Sequence, residues 1–106
     1  FCRTDCNGFL RTLDAIIDGT ITPIRLLRLE LTLNGVPLPE LVLNEVLVAH
    51  AHPAGTSRYQ IEVDGEQAEH KGSGLLIAAP SGSTGFLRSE GGAVLPITAR
   101  AFSYLK

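Results

Sequence analysis

The sequence contains no methionine, and only two of its 106 residues are cysteines. Because it starts at Phe1 and has no methionine, we expect the protein to continue beyond this first residue. We expect the same at the other end, because the last four residues are half apolar and no Gly or Pro closes them. Cys2 and Cys6 are too few for a disulfide-stabilised scaffold. They fit a reducing compartment, so the expected location is the cytoplasm.

Long apolar runs and a charge excess are also missing. No run approaches the roughly 20 residues of a membrane span. The net charge of −2 gives no electrostatic reason to expect a nucleic acid or an anionic membrane as a partner. Hydrophobic residues make up 44% of the chain and charged residues 19%, which excludes a disordered segment. We therefore expect residues 1–106 to form a single folded domain, with neither nucleic acid nor membrane as a partner.

The first part of the chain has the pattern of an amphipathic helix. Apolar residues between Phe9 and Ile17 recur at the spacing of one helical face, and charged residues occupy the other face. Asp5 or Asn7 can cap the N-terminus of this helix, and Gly19 stands where a helix ends. The sequence predicts one leading helix here.

After the helix, the pattern is that of strands. Apolar and polar residues alternate between residues 24 and 34, which predicts a half-buried antiparallel strand. Asn34-Gly35 and Asp64-Gly65 are strong turn signals. The other predicted strands cover residues 41–49, 59–63 and 75–79. The predicted fold is α+β and mainly β, an antiparallel β-sandwich-like domain with one leading amphipathic helix.

Asn44 and Glu45 interrupt an otherwise apolar strand. Neighbouring side chains in a strand point to opposite faces, so each polar group would enter its own apolar surface. Both need partners, because an unpaired buried amide or carboxylate is costly. Two interpretations follow: a bulge or sheet edge that lets both groups reach water or backbone, or contact with a polar ligand.

A loop of small residues, Ser81–Gly85, follows a buried strand and precedes a short predicted helix. Small residues let backbone N–H groups approach a ligand closely, and a helix N-terminus favours anions. The loop lacks the frame and the lysine of a Walker motif. It also lacks the first glycine of a hydrolase nucleophile elbow, and every histidine precedes Ser83, so a serine hydrolase is not predicted. Taken alone, the loop can also be a simple connection.

A zinc site is the other chemistry to consider. His50 and His52 can face one side of a strand, and Cys2, Cys6 or His70 could complete the set of ligands. However, Pro53 follows directly, which predicts a strand end where histidines are commonly just exposed. The cysteines are four residues apart, unlike the usual C-x2-C arrangement. No metal site is predicted.

Taken in order, four segments resemble the C-terminal half of the NAD kinase family. They are Leu43–Val46, Gly72–Leu75, Ala79–Phe86 and Ser89–Gly92. The family pattern is Asn-Glu on an apolar strand, then Asp-Gly-Leu leading into Thr-Pro-Thr-Gly-Ser-Thr-Ala-Tyr, then Ser-x-Gly-Gly. The His52–Ala54 segment and the serine of Gly-Ser-Gly make the chain more similar to the branch that includes plant NADH kinases.

The resemblance implies a reaction that needs more than this chain. ATP, with a divalent metal such as Mg, would phosphorylate the 2′-hydroxyl of the adenosine ribose of NAD or NADH, giving NADP(H). The family's Gly-Gly-Asp-Gly-Thr motif, whose Asp is the proposed base, belongs to an N-terminal α/β domain and does not occur here. No catalytic residue is therefore expected in the chain, which would supply the dinucleotide-binding part. The implied partners are that N-terminal domain and further copies in a homo-oligomer.

The resemblance also implies roles for two clusters of residues. Asn44 would hydrogen-bond the adenine edge, and Glu45 would help to hold the dinucleotide. Ser83, Thr84 and Gly85 would line the same pocket through side chains and backbone.

Four further positions are carried over from the family pattern. Phe86 replaces the family's Tyr, so stacking would survive without the phenol hydrogen bond. Ser89 would contact the base, and Lys71 matches a basic position near the cofactor. Ser73 replaces an aspartate that in the family reaches the dinucleotide of a neighbouring subunit.

A second interpretation belongs to a different class, namely a non-catalytic β-sandwich interaction or regulatory module. The coding sequence upstream of Phe1 distinguishes the two. Gly-Gly-Asp-Gly-Thr after a predicted strand would support the kinase, and its absence would support the module.

Overall fold

The computed structural model describes residues 5–52 and 54–106. Within these residues the elements are α1 (Phe9–Ile17), β1 (Thr32–Leu33), β2 (Val36–Pro37), β3 (Glu45–Ala49), β4 (Ser57–Val63), β5 (Glu66–Gly72), β6 (Gly74–Ala78), α2 (Phe86–Ser89) and β7 (Ser103–Leu105). The strands pair antiparallel as β1-β2, β3-β6-β7 and β4-β5. The predicted α+β, mainly β architecture is confirmed.

Helix α1 forms where the periodicity predicts it. The Asp5 carboxylate accepts a hydrogen bond from the backbone N–H of Gly8 at 2.6 Å, which satisfies one free donor at the helix start. Gly19 adopts a φ of 68°, a left-handed conformation that ends helices. The apolar stripe is not covered by the described residues: Phe9 is 55% exposed and Ile17 is 72% exposed.

The strand predicted for residues 24–34 is wrong in its length. Only Thr32–Leu33 forms a strand, paired with Val36–Pro37 across the predicted turn at Asn34-Gly35. Upstream of it, a single bridge joins Leu29 to Val42.

The alternation itself is present in residues 27–31. Leu27, Leu29 and Leu31 are half-buried, and Arg28 and Glu30 between them are exposed. A period of two decides which side chains face inward, but a hydrogen-bonded ladder also needs a partner strand with free N–H groups. Prolines in the facing segment lack such donors, so pairing stops early.

The β4-β5 ribbon follows its predicted pattern. Tyr59, Ile61 and Val63 are half-buried, and the residues between them are exposed. The turn at Asp64-Gly65 has φ values of 52° and 83°. At the other end of the ribbon, the Tyr59 hydroxyl donates to the carbonyl oxygen of Gly74 at 2.6 Å, which ties the ribbon to the start of β6.

The buried part of the structure is small and lies in one place. Strand β6 lies between β3 and β7, and all seven buried residues of the described chain fall between Leu76 and Leu87. Leu76, Ala78 and Leu87 form the core, with Leu105 packed against it. The radius of gyration is 18.0 Å, against about 13 Å for a compact domain of this length. Much apolar surface therefore remains open.

Candidate functional site

The predicted polar pair lies directly against the predicted loop. Strand β3 starts at Glu45, which pairs with Ala78 of β6. One residue earlier, the Asn44 carbonyl oxygen accepts the N–H of Ala79 at 2.8 Å, which extends the ladder to the start of the loop. The sheet register thus places two segments that are 35 residues apart in the sequence side by side.

Gly82 is the closest point of this contact. A Cβ atom at this position would collide with the Asn44 carbonyl oxygen and would stand 2.6 Å from Oε2 of Glu45. Only glycine lets the loop backbone approach this closely. Gly82 is therefore required by packing, which the sequence alone does not reveal.

The side-chain amide of Asn44 and the carboxylate of Glu45 are available to a ligand. Asn44 is exposed and Glu45 is half-buried. Among the residues that the structure describes, neither side chain has a hydrogen-bond partner. The backbone is held in the sheet, while the amide and the carboxylate remain free to bind.

A cavity of about 490 Å³ opens beside Asn44. It is mainly apolar, and its lining residues are Ile21, Thr22, Pro23, Ile24, Leu26, Leu43, Asn44, Ser81 and Ile97. An apolar pocket with a few polar groups is the usual form of a small-molecule site.

Ser81 contributes to this cavity and was not among the predicted site residues. Its hydroxyl donates to the carbonyl oxygen of Leu43. The signal in the sequence was its position in the small-residue loop, next to Gly82. That signal does not say which serine faces a cavity and which faces the core.

Ser83 lies on the inner side of the loop. It is fully buried, and its hydroxyl donates to the Pro80 carbonyl oxygen at 2.8 Å and accepts the Leu95 N–H at 2.9 Å. Thr84 and Gly85, which follow it, are exposed. The three residues share one loop with different surroundings.

Helix α2 carries the next two predicted residues. Phe86 is its first residue and is 46% exposed, so part of the residue is accessible to a ligand. The Ser89 hydroxyl donates to the Phe86 carbonyl oxygen at 2.7 Å. Gly91 has a φ of 84°, and the N–H of Gly92 donates to the Leu87 carbonyl oxygen at 2.8 Å. The Gly-Gly of the motif thus ends the helix.

Lys71 and Ser73 lie near the other end of β6, Lys71 on the separate β4-β5 ribbon and Ser73 between β5 and β6. Gly74 pairs with Ala49, four residues along from the Glu45 pairing, a separation of about 13 Å at the usual rise of a strand. Lys71 is exposed on β5 directly opposite Arg58, and Ser73 is exposed beside it. The predicted residues therefore form two groups, which this chain does not bring together.

In the part of the chain that the structure describes, the hydrogen bonds of His50 and His52 are all local. His50 Nδ1 accepts the backbone N–H of His52 at 2.9 Å. Within residues 5–52 and 54–106, no three side chains of His, Cys, Asp or Glu are grouped so as to hold a metal ion. Cys2 and Pro53, which entered the metal argument, lie outside the described residues.

Comparison with known proteins gives the family. Residues 43–102, more than half of the chain, match the sequence profile of the ATP-NAD kinase C-terminal domain. The chain belongs to the NAD kinase family. The matched segment contains all nine predicted site residues and both groups described above, and the first 42 residues precede it.

Individual members of the NAD kinase family support this assignment. The chain is 36% identical over 98% of its length to a probable NADH kinase of Oryza sativa subsp. japonica, and covers 34% of that protein. It is 43% identical over 67% of its length to an NAD kinase of Methanoculleus marisnigri, and covers 26% of that protein. The chain thus spans about a quarter to a third of the length of these relatives. No solved structure gives a significant match.

The described part of this NAD kinase domain contains no helix that is both long and apolar enough to cross a membrane.

Proposed function

We propose that this chain is the dinucleotide-binding part of an NAD(H) kinase. The reaction is phosphoryl transfer from ATP to the 2′-hydroxyl of the adenosine ribose of NAD or NADH, giving NADP(H). The observation that carries the proposal is the contact between Asn44-Glu45 and the Gly82 loop, with both polar side chains unpaired among the described residues and Asn44 lining an apolar cavity. Family membership supports it.

Asn44 and Glu45 offer complementary chemistry to a dinucleotide. An amide side chain both donates and accepts, which suits the edge of an adenine ring. An ionised carboxylate only accepts, which suits hydroxyl groups such as those of ribose. The apolar cavity wall beside Asn44 suits the faces of a base. We propose that the pair holds the adenosine half of the substrate.

The loop and α2 complete this group. Exposed Thr84 and Gly85 can offer a hydroxyl and backbone to the ligand, and the partly exposed Phe86 can supply a ring for stacking on a base. We propose that Ser89 lies against the same base. Holding the acceptor in this way supplies orientation, which is a large part of what phosphoryl transfer requires.

The donor side of the reaction is proposed to lie elsewhere in the protein. The described chain has no group of three metal-ligating side chains that could hold a metal ion by itself, and we propose that the magnesium of ATP is held mainly outside this chain. We therefore derive no step through the metal. The phosphoryl donor and the catalytic base are assigned to the N-terminal domain that the family resemblance implies. The proposed location is the cytoplasm.

The open apolar surface supports the proposed partners. Among the described residues, nineteen large hydrophobic side chains are exposed, while four hydrophobic residues are buried. Exposed apolar area of this extent marks surfaces that pack against other protein. We propose that the N-terminal domain and further copies of the protein cover it.

Sedimentation of the isolated chain tests this point. We expect self-association at tens of micromolar, because its apolar surface has no other partner there. A clean monomer would contradict the proposed coverage.

The proposed reaction has a direct test. The complete protein that contains this chain is incubated with ATP, magnesium and either NAD or NADH, and NADP(H) is quantified by an enzymatic cycling assay. We expect NADP(H) to form, and we expect the Asn44→Ala variant to need more dinucleotide for the same rate. No NADP(H) from either substrate would overturn the proposal.

A further inference from the structure

Ser83 is a polar residue with no exposed surface. Its hydroxyl donates to the Pro80 carbonyl oxygen and accepts the Leu95 N–H, at 2.8 and 2.9 Å. A hydroxyl has one proton and two lone pairs, so its proton and one lone pair are occupied by backbone. Full burial keeps a ligand from the second lone pair.

Leu95 depends on this hydroxyl. It belongs to residues 92–96, which form neither helix nor strand, and its side chain is half-buried. In the described chain, the hydroxyl of Ser83 is the acceptor of the Leu95 N–H. An N–H group that loses its partner away from water is destabilising, so removing the hydroxyl would release this segment.

The bond between Ser83 and Leu95 joins two walls of the cavity beside Asn44. Ser81, two residues before Ser83, lines the cavity on the loop side. Ile97, two residues after Leu95, also lines it. The same loop presses Gly82 against Asn44. A shift of either wall would therefore change the shape of the cavity.

We infer that Ser83 is a positioning residue of the dinucleotide site. It sets the distance between the loop and the Leu95 segment, and it acts on the ligand through Gly82, Ser81 and Ile97 rather than by touching it. The inference rests on the proposed function, and it assigns to Ser83 a different role from the contact that the family resemblance implies.

The test is Ser83→Ala in the complete protein, read in two ways. Without ligand, amide hydrogen exchange at Leu95 should be faster than in the wild type, because the N–H has lost its acceptor. In the kinase assay, KM for the dinucleotide should rise about tenfold, the effect of one hydrogen bond to a buried group. KM for ATP should stay within about twofold. Ser57→Ala, a half-buried serine on the ribbon, is the matched control and should change neither reading.

A double variant separates positioning from contact. If Ser83 acts through the loop that holds Asn44, Asn44→Ala and Ser83→Ala share one effect, and their combined rise in KM is smaller than the product of the single rises. If the KM of the double variant rises by the full product of the two single rises, the inference is overturned in favour of direct contact. The same holds if KM rises in Ser83→Ala while amide exchange at Leu95 is unchanged. An unchanged KM in a folded variant would also overturn it.

Two further outcomes are distinguishable. If Ser83→Ala does not fold, Ser83→Cys takes its place, since a thiol of similar size keeps a weaker donor and acceptor, and we expect an intermediate effect on both readings. If the wild-type protein neither binds nor phosphorylates NAD or NADH, both the proposed function and this inference are refuted. If the wild type is active and the variants match it, only the role of Ser83 is refuted.

Discussion

The two ends of strand β6 carry the two groups of candidate residues, and they are built differently. At the Ala78 end, Asn44 and the loop are joined by backbone hydrogen bonds and by the close approach of Gly82. At the Gly74 end, Lys71 and Ser73 are exposed, and Arg58 faces Lys71 across the ribbon. The first end is a preformed cavity wall. The second is a set of side chains whose effect depends on charge.

This difference decides how each end responds to mutation. A packed backbone contact has no room to adapt, so a small steric change at the Ala78 end displaces the whole group. Exposed charges at the Gly74 end are screened by water and salt, so each contributes little. We therefore expect steep losses at one end and graded shifts of preference at the other.

The largest effect is expected for Gly82→Ala. The added methyl group collides with the Asn44 carbonyl oxygen, which is backbone and cannot swing away. We expect dinucleotide binding, measured by calorimetry on the complete protein, to fall below detection, and the melting temperature to fall. The matched control is Gly72→Ala at the end of β5, where the nearest atom to the added Cβ, the Tyr59 hydroxyl oxygen, is 3.9 Å away. Equal effects of the two variants would contradict the comparison.

Asn44→Ala is expected to have the next largest effect. It leaves the backbone ladder intact and removes only the amide beside the cavity, so binding should weaken by about 1–3 kcal/mol while stability changes less. Titration calorimetry with NAD and with NADH measures the affinity, and thermal melting measures stability. Gln60→Ala, which removes an exposed amide from the ribbon, should leave the affinity unchanged. Unchanged affinity of the Asn44 variant for both ligands would remove Asn44 from the site.

Ser73→Asp is expected to change preference rather than binding strength. If the family geometry applies, a carboxylate here lies near a nicotinamide ring that is cationic in NAD and neutral in NADH. At ~5 Å and an effective dielectric constant near 20, the attraction is about 3 kcal/mol before desolvation and screening. If a tenth to a third of that attraction remains after desolvation and screening, the substrate preference shifts about twofold to fivefold in favour of NAD.

The ratio of kcat/KM for NAD to that for NADH in the complete protein measures this shift. Ser73→Asn, which is neutral and similar in size to aspartate, controls for the added side chain. If the ratio does not rise with aspartate, redox preference is set elsewhere in the pocket.

The smallest effect is expected for Lys71→Gln. The ammonium group is exposed, so its attraction for the phosphates of a dinucleotide should be worth less than about threefold in affinity at low salt. The difference from wild type should disappear as ionic strength rises, because salt screens exposed charges. Affinity measured across a salt series provides the check. A large, salt-independent loss would mean that Lys71 is part of a closed site.

Several local features were predictable because they depend on neighbours in the chain. Helix α1, the turns at Asn34-Gly35 and Asp64-Gly65, and the alternation along β4 all follow from nearby residues. The strand of residues 24–34 was overestimated for the same reason, because alternation says which side chains face inward and says nothing about partners. Whether a hydrogen-bonded ladder forms depends on a partner segment that is distant in the sequence.

The candidate site divides in the same way. The sequence by itself determined the family pattern and the identity of the polar pair, the loop and its glycines, because these are residue types at given spacings. Only the tertiary structure decided that Gly82 presses on Asn44, that Ser81 faces the cavity while Ser83 faces Leu95, and that Lys71 and Ser73 stand at the far end of β6. The physical reason is that the direction of a side chain and its distance from other residues follow from sheet register and burial. Both are set by pairing between residues remote in sequence.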